Sequence, residues 1–508
     1  MVGVAGKSRG CNTCRKRKIA CDQQRPVCAK CTRSNRVCGG YQKDTVFVLV
    51  QPAAEKTHIF LRPFSPQGTA ERPEFESAVS SPATVIHSNE FTHSFTETSD
   101  AYTIMHRSIE CQNLIQAFLL NCFPLHWPPM SLSWIPLLGE LPTKSRALEM
   151  SSAAVAASAM GHMFHNHALV KQGLNYYTQG LQQLQKALWD PSLMREDGTL
   201  AACMALSLYE ALECPNLGSE GYFNHCRGLI ALIQSRGHEV HSSGAGHRLF
   251  LGVRVPGILL SLKHHTSTIF FESTWMEQPW AGIRKTSHDR VIDCLAQAPV
   301  ILERVRSLPH QSVIQQINLL QHLIGECWQI DKQLDITYDE MQRSASDVLY
   351  WQVPFQTDPL IDSGYSENLF PVVFCFQNAQ VAATLMLLWA TRTMLWSGLS
   401  NMYQYLESCV ALDPALDQGS VSEVLSKSSG IDRCGEYLSV AHQVCQSMDY
   451  FLKDDMLLAG PLSVSPALGI VVDSLRNRPG HDREIAWIQA ALEVVRRKGL
   501  RVLQDVSL

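Results

Sequence analysis

The chain has 508 residues, with 43 Lys and Arg against 47 Asp and Glu and a formal net charge of −4. Its composition is that of a soluble intracellular protein, and no apolar segment follows Met1, so no secretory signal is expected. The charge is unevenly spread: residues 1–43 carry eleven basic residues and one acid, Asp22, while the remainder is acidic by 14. Such a basic block at one end points to a nucleic-acid partner.

The block contains CNTCRKRKIACDQQRPVCAKCTRSNRVC over residues 11–38, in which C-x2-C-x6-C occurs twice, joined by six residues. Two cysteines spaced C-x2-C can grip one ion, and thiolate sulfur suits soft or borderline metals, zinc first among them. Cys11, Cys14, Cys21, Cys28, Cys31 and Cys38 complete two tetrahedra only if two of the six sulfurs bridge both ions. Two Zn(II) on six thiolates leave about +8 on the module. From the residues alone, a one-zinc docking module and an iron–sulfur site stay open, and the RKRK run at residues 15–18 can also serve as a nuclear import signal.

This stretch resembles the fungal Zn(II)2Cys6 binuclear zinc cluster family of transcription factors at every cysteine position. The resemblance implies two Zn(II) per chain, one on Cys11, Cys14, Cys21 and Cys28 and one on Cys28, Cys31, Cys38 and Cys11, with Cys11 and Cys28 bridging. Pro26 falls in the connecting loop, as in the family. Each half is expected to carry a short helix, the first holding Arg15, Lys16, Arg17 and Lys18. The resemblance puts the C-terminal end of that helix in the major groove over a CGG-like triplet. Lys18 matches the base-contacting lysine, a group able to donate to guanine O6 and N7. Arg33 and Arg36 look like phosphate contacts.

After Cys38, two glycines and a short apolar run, Val46 to Val50, lead into a Pro-, Ser-, Thr- and Glu-rich stretch. The module is therefore read as residues 1–45, followed by a disordered linker over 46–100 and a large all-α domain over 101–508, a mainly α chain. Within the linker, Glu74, Phe75, Glu76, Glu90, Phe91, Phe95 and Glu97 alternate acid with aromatic, a pattern read as solvated linker first and activation segment second. No heptad of apolar positions follows the cluster, so any homodimer would form through the helical domain.

Helix-period segments begin near Tyr102. Expected helices run over Ile104–Cys122, from a cap at Thr143 through Ala153, Ala154, Ala156 and Ala157, and along a stripe from Leu174 to Leu188 that ends at Asp190-Pro191. Others are expected at Leu200–Leu212, Tyr222–Ser235, Gly246–Phe271, Arg290–Ser307, Val313–Leu334, Pro371–Leu412, Gly435–Leu452 and Arg483–Leu503. The most apolar stretch, Leu369–Trp396, is interrupted by Gln377, Asn378, Gln380 and Arg392 and reads as a buried helix, not a membrane span.

Residues 222–237, YFNHCRGLIALIQSRG, place Cys226, Leu229, Ile230 and Ile233 on one helical stripe that stops at Gly237. The segment is similar to the H-x2-G-x3-L-I-x2-R-G element of the helical regulatory domain found in fungal zinc-cluster factors, with Trp275 and Pro279-Trp280 at a family-like distance downstream. That resemblance covers roughly residues 105 to 505 in outline.

No nucleophile elbow, P-loop, dinucleotide fingerprint or H-E-x-x-H occurs, so no enzyme is expected. His162, His165 and His167 form H-x2-H-x-H but lack a local carboxylate or cysteine, and read as histidines near a helix end. The expectation is a nuclear transcription factor of RNA polymerase II genes that binds double-stranded DNA, works with the transcription machinery and has no membrane partner. By family habit it would control a biosynthetic or metabolic pathway. The alternative is a zinc-stabilised interaction module without specific DNA binding.

Overall fold

The computed structural model describes residues 11–24, 28–34, 36, 38, 46–48, 58–60, 109–124, 130–142, 145–213, 220–355, 369–412, 428–476 and 478–501. Pro26, Thr143, the acid–aromatic stretch and the rest of 61–108 lie outside them, as do the side chain of Arg15 and helix residues 104–108. The chain divides into two units, Met1–Thr84 and Val85–Leu508.

In the first unit two five-residue helices, Asn12–Lys16 and Ala29–Arg33, flank the cysteines. Its buried centre is sulfur: Cys11, Cys14, Cys28 and Cys31 are fully buried with Cys21 and Cys38 against them, and no other described residue joins them. Within the stretch read as linker, Val46–Val48 pairs antiparallel with His58–Phe60, Phe47 opposite Ile59.

The second unit is built of helices. Arg146–Met163 and His167–Trp189 form a tight hairpin. Ala153, Ala154, Ala156 and Ala157 are wholly buried. On the facing helix, a Cβ at Gly173 would lie 3.1 Å from the Ser158 nitrogen and one at Gly180 would lie 2.9 Å from Ser151 Oγ. Small residues on both faces thus set the helix separation. Asn166 caps the second helix, its Oδ1 accepting from Leu169 N at 3.1 Å. Asp197–Glu213 packs across this hairpin and is buried along almost its whole length.

Glu220–Arg236 follows, with Cys226, Leu229 and Ile233 buried and Ile230 half-buried, as its stripe predicts. Gly237 ends it in the left-handed region at φ 81°, its N–H reaching the Ile233 carbonyl at 3.2 Å. The motif's Arg236 has a structural task. Its guanidinium donates to the Glu196 carbonyl at 2.9 Å and to the Asp197 carboxylate, tying this helix to the start of Asp197–Glu213.

Several expected helices differ in extent. Gly244–His264 stops at His265, which is left-handed at φ 49°, and Ile269–Phe271 is a separate 3-10 turn. The stretch expected as Arg290–Ser307 is two helices, Ser287–Leu295 and Ala298–Val305, the second opening with Pro299, which has no N–H to continue the first. Val313–Ser344 runs to Ser344, started by a capping box of Ser312 and Gln315. Gly435–Leu452 divides at Ser447 into Tyr437–Gln446 and Met448–Leu452. The last helix is Asp482–Arg497.

Two corrections are larger. Val372–Phe376, expected as helix, is a strand paired antiparallel with Tyr350–Pro354, and the following helix, Ala379–Leu412, begins after Asn378, whose Oδ1 accepts from Val381 N at 2.9 Å. The β-branched and aromatic residues of VVFCF favour that pairing. In addition Ala459–Arg476, not expected as helix, packs on Ala379–Leu412 at the centre of the unit.

Buried charge is matched inside this core. Asp331, 1% exposed, accepts from Arg392 Nε at 2.8 Å and Trp396 Nε1 at 3.0 Å and lies 3.0 Å from Arg433 Nη2. None of the described cysteines is in a disulfide. Among the described residues no helix is long and apolar enough to cross a membrane.

Candidate metal centre

The two C-x2-C turns are built alike. Cys11 precedes the first short helix and its Sγ accepts from Cys14 N at 3.4 Å; Cys28 caps the second and its Sγ accepts from Cys31 N at 3.3 Å. Each of these sulfurs therefore sits at a helix start, where backbone N–H groups favour a thiolate. Asp22 adds a cap that no sequential rule predicts: its carboxylate accepts from Ala29 N at 2.9 Å and Lys30 N at 3.2 Å, across the connecting loop. Those backbone hydrogen bonds, Ala29's first, hold the Asp22 carboxyl below its ordinary range.

The six sulfurs converge into two overlapping sets of four. Cys11, Cys14, Cys21 and Cys28 form one, and Cys11, Cys28, Cys31 and Cys38 the other, with the sulfurs of each set within 4.8 Å of one another. Cys11 and Cys28 belong to both, their sulfurs 3.6 Å apart. Cys14 to Cys28 is 3.7 Å and Cys11 to Cys31 is 3.8 Å. A tetrahedral zinc with Zn–S of about 2.3 Å requires sulfurs about 3.8 Å apart, so the donor set fits zinc in both type and spacing. Without a cation, burial pushes the Cys11 thiol up to about 12 and drives Cys14 and Cys28 upward too. Negative charge on these sulfurs then depends on a metal ion to balance it.

The basic side chains surround this centre without entering it. Lys16, Arg17, Lys18, Arg33 and Arg36 are all exposed. The first helix ends at Lys16, so Arg17 and Lys18 form its C-terminal turn and are not helical as expected. Ile19 N donates to the Cys14 carbonyl at 3.1 Å, and Lys18 between them is left-handed at φ 52°. This is a Schellman-type stop with lysine where glycine is usual. Arg17 Nη1 donates to Ser34 Oγ at 3.2 Å, linking the two halves of the repeat. Neither Asp22 nor Ser34 was singled out by the sequence, because both act across the fold and not at a motif spacing.

Residues 9–45 match the fungal Zn(2)-Cys(6) binuclear cluster domain, and residues 112–253 match the fungal specific transcription factor domain. Over those two stretches the chain is similar to fungal zinc-cluster transcription factors. That cluster domain binds two zinc ions, and the family consists of transcription regulators, not enzymes. Among similar proteins, the transcriptional regulatory protein moc3 of Schizosaccharomyces pombe is 37% identical over 65 residues, 12% of this chain and 13% of that protein. White-opaque regulator 2 of Candida albicans is 58% identical over 33 residues, 6% of this chain and 7% of its own length. The aspercryptin biosynthesis cluster-specific transcription regulator atnN of Emericella nidulans is 51% identical over 39 residues, 8% of this chain and 6% of its own. This chain thus spans 13% or less of the length of each of these relatives. No solved structure matches the chain.

Outside the cluster, His162 meets a carboxylate that lies far off in sequence: its Nε2 is 2.8 Å from Glu213 Oε1, which also accepts from Ser158. His165 and His167 are exposed, and among the described residues the only metal-competent groupings are the two cysteine sets.

Proposed function

We propose that this chain is a nuclear, sequence-specific DNA-binding regulator of RNA polymerase II transcription. In this reading Cys11, Cys14, Cys21 and Cys28 hold one zinc and Cys11, Cys28, Cys31 and Cys38 the other. The observation that carries it is the sharing of Cys11 and Cys28 between two sulfur sets at zinc spacing, beside a turn of exposed base. The metals fix the Asn12–Lys16 helix, and its C-terminal turn presents Lys18 to the edges of a CGG-like triplet in the major groove. Lys16 and Arg17 lie on the same approach, with Arg17 steadied by Ser34; Arg15 is assigned to the same contact from its place in the sequence, and Arg33 and Arg36 on the second half neutralise phosphates. Self-association, where it occurs, is assigned to the helical unit.

Selection of bound sites from random double-stranded DNA by the full, zinc-loaded chain tests this. Enrichment of a G-rich triplet, with competition by that triplet and not by a scrambled one, is the expected outcome. Zinc-loaded protein that enriches no sequence would overturn it in favour of a protein-docking role for the cluster.

A further inference from the structure

The second short helix of the cluster module ends in a serine that meets the first half of the repeat. Ser34 is the C-cap of Ala29–Arg33, and its side chain is exposed. Its hydroxyl shares one proton between the Lys30 carbonyl at 2.8 Å and the Cys31 carbonyl at 3.1 Å. The lone pairs of the same oxygen accept from Arg17 Nη1 at 3.2 Å. A neutral, accessible hydroxyl therefore lies in hydrogen-bond contact with one of the guanidinium groups assigned to DNA.

The charge around that hydroxyl is basic. Lys30, Arg33 and Arg36 belong to its own half of the module, and Arg17 reaches it from the other. Asp22, the one acid of residues 1–43, is engaged at the opposite end of the same helix by Ala29 N and Lys30 N. A phosphate on Ser34 Oγ, with a charge of about −2 and three strong acceptor oxygens, would find Arg17 already in place. The negative end of a five-residue helix opposes such a group, but a guanidinium at hydrogen-bond distance outweighs it. The helix stop does not depend on the hydroxyl, because the Cys31 carbonyl also accepts from Ser34 N at 3.2 Å and Arg36 N at 3.0 Å. Arg33-Ser34-Asn35-Arg36 places a basic residue one position before the serine and another two after it, the kind of charge pattern by which protein kinases select substrates.

We propose that Ser34 is a phosphorylation site that weakens the DNA contact of the cluster module, an inference that rests on the DNA-binding reading above. A basic-directed protein kinase transfers the γ-phosphoryl group of a nucleoside triphosphate to Ser34 Oγ. The bond from the γ-phosphorus to the oxygen it shares with the β-phosphate breaks, a bond from phosphorus to Oγ forms, the nucleoside diphosphate leaves, and the hydroxyl proton passes to the kinase's base. The phosphate then draws Arg17 away from DNA and lowers the charge of the zinc-loaded module from about +8 to about +6. With a slope of about 0.9 per phosphate contact, each contact is worth about eightfold in affinity at 0.1 M salt. Loss of the Arg17 contact alone therefore costs about eightfold, and neutralising one further contact brings the loss to about sixtyfold.

The test treats the full, zinc-loaded chain with magnesium ATP and a purified kinase selective for serine two residues before arginine. Mass spectrometry locates the phosphate, and titration with duplex DNA at 0.1 M salt reads affinity. We expect phosphate on Ser34, affinity lower by about eight- to sixtyfold, two zinc ions still bound, and recovery after phosphatase treatment. Ser34→Ala, treated in parallel, should keep its own untreated affinity; phosphatase recovery of the native chain gives the same control without a substitution. Arg17→Ala phosphorylated at Ser34 should lose about eightfold less than the native chain, because the group the phosphate captures is already gone. No phosphate on Ser34, an unchanged affinity, a treated Ser34→Ala chain that weakens as the native one does, an equal loss in Arg17→Ala, or release of zinc on phosphorylation would each overturn the proposal. These titrations need no particular DNA sequence, so a chain that enriches no triplet would refute the sequence-reading role and leave the phosphate effect measurable.

Discussion

Lys18 makes two opposed demands on one position, and replacing it with glycine separates them. With φ 52°, it occupies the left-handed C′ position of the first helix, closed by the Ile19 N–H to Cys14 carbonyl bond of 3.1 Å. A residue with a Cβ costs about 1 kcal/mol there relative to glycine, part of which glycine gives back through the greater freedom of the unfolded chain. Lys18→Gly should therefore stabilise the module by roughly 0.5 kcal/mol, whereas Lys18→Ala, which keeps a Cβ in the same conformation, should not. Both substitutions remove the ammonium group, and both should reduce discrimination between the correct triplet and a mutated one by about 1–3 kcal/mol. The assays are zinc retention against a competing chelator and DNA competition with matched and mutated triplets, on the full chain. Lys18→Gly that keeps its sequence preference would refute the base contact. Lys18→Gly that loses zinc faster than Lys18→Ala would refute the Schellman-type stop.

Replacing Cys28 with serine should bring zinc content from two ions per chain toward none, and replacing Cys14 should leave about one, because Cys28 lies in both sulfur sets and Cys14 in one; elemental analysis reads the ratio. Arg33→Ala should weaken binding to all DNA alike and reduce the slope of log affinity against log salt by about one unit, read from titrations at several salt concentrations. Asp331→Ala should cost about 3 kcal/mol in urea unfolding, the low end for a buried pair, since Asp335 still faces both Arg392 and Arg433 at 2.6 Å. Buried His225 is held neutral, its pKa lowered from 6.5 to about 4. The unfolded chain therefore binds the extra proton between those values, and stability present above pH 6.5 is lost as pH falls toward 4, by about 3 kcal/mol for this group. His225→Gln should flatten the pH dependence of unfolding in that window.

Helices whose apolar stripe repeats at 3.6 residues and ends on glycine or proline were legible from sequence: Glu220–Arg236 with Gly237 is the clearest. The misreadings have one origin, which is that periodicity does not report on partners. VVFCF at residues 372–376 is as apolar as a buried helix, and only its pairing with Tyr350–Pro354, some twenty residues away, makes it a strand. Ala459–Arg476 holds Pro461 and Pro466, which argue against helix locally; a central position against Ala379–Leu412, with Val464, Leu468 and Val471 buried, overrides them.

Chemistry, unlike pairing, can be local. The metal centre was legible because its chemistry is local: six cysteines within 28 residues must fold around metal, and the core of that module holds no apolar side chain among the described residues to do the work instead. A site made by metal ligation is written along the chain. A pairing such as that of Val372–Phe376 with Tyr350–Pro354 exists only after the fold has closed around it.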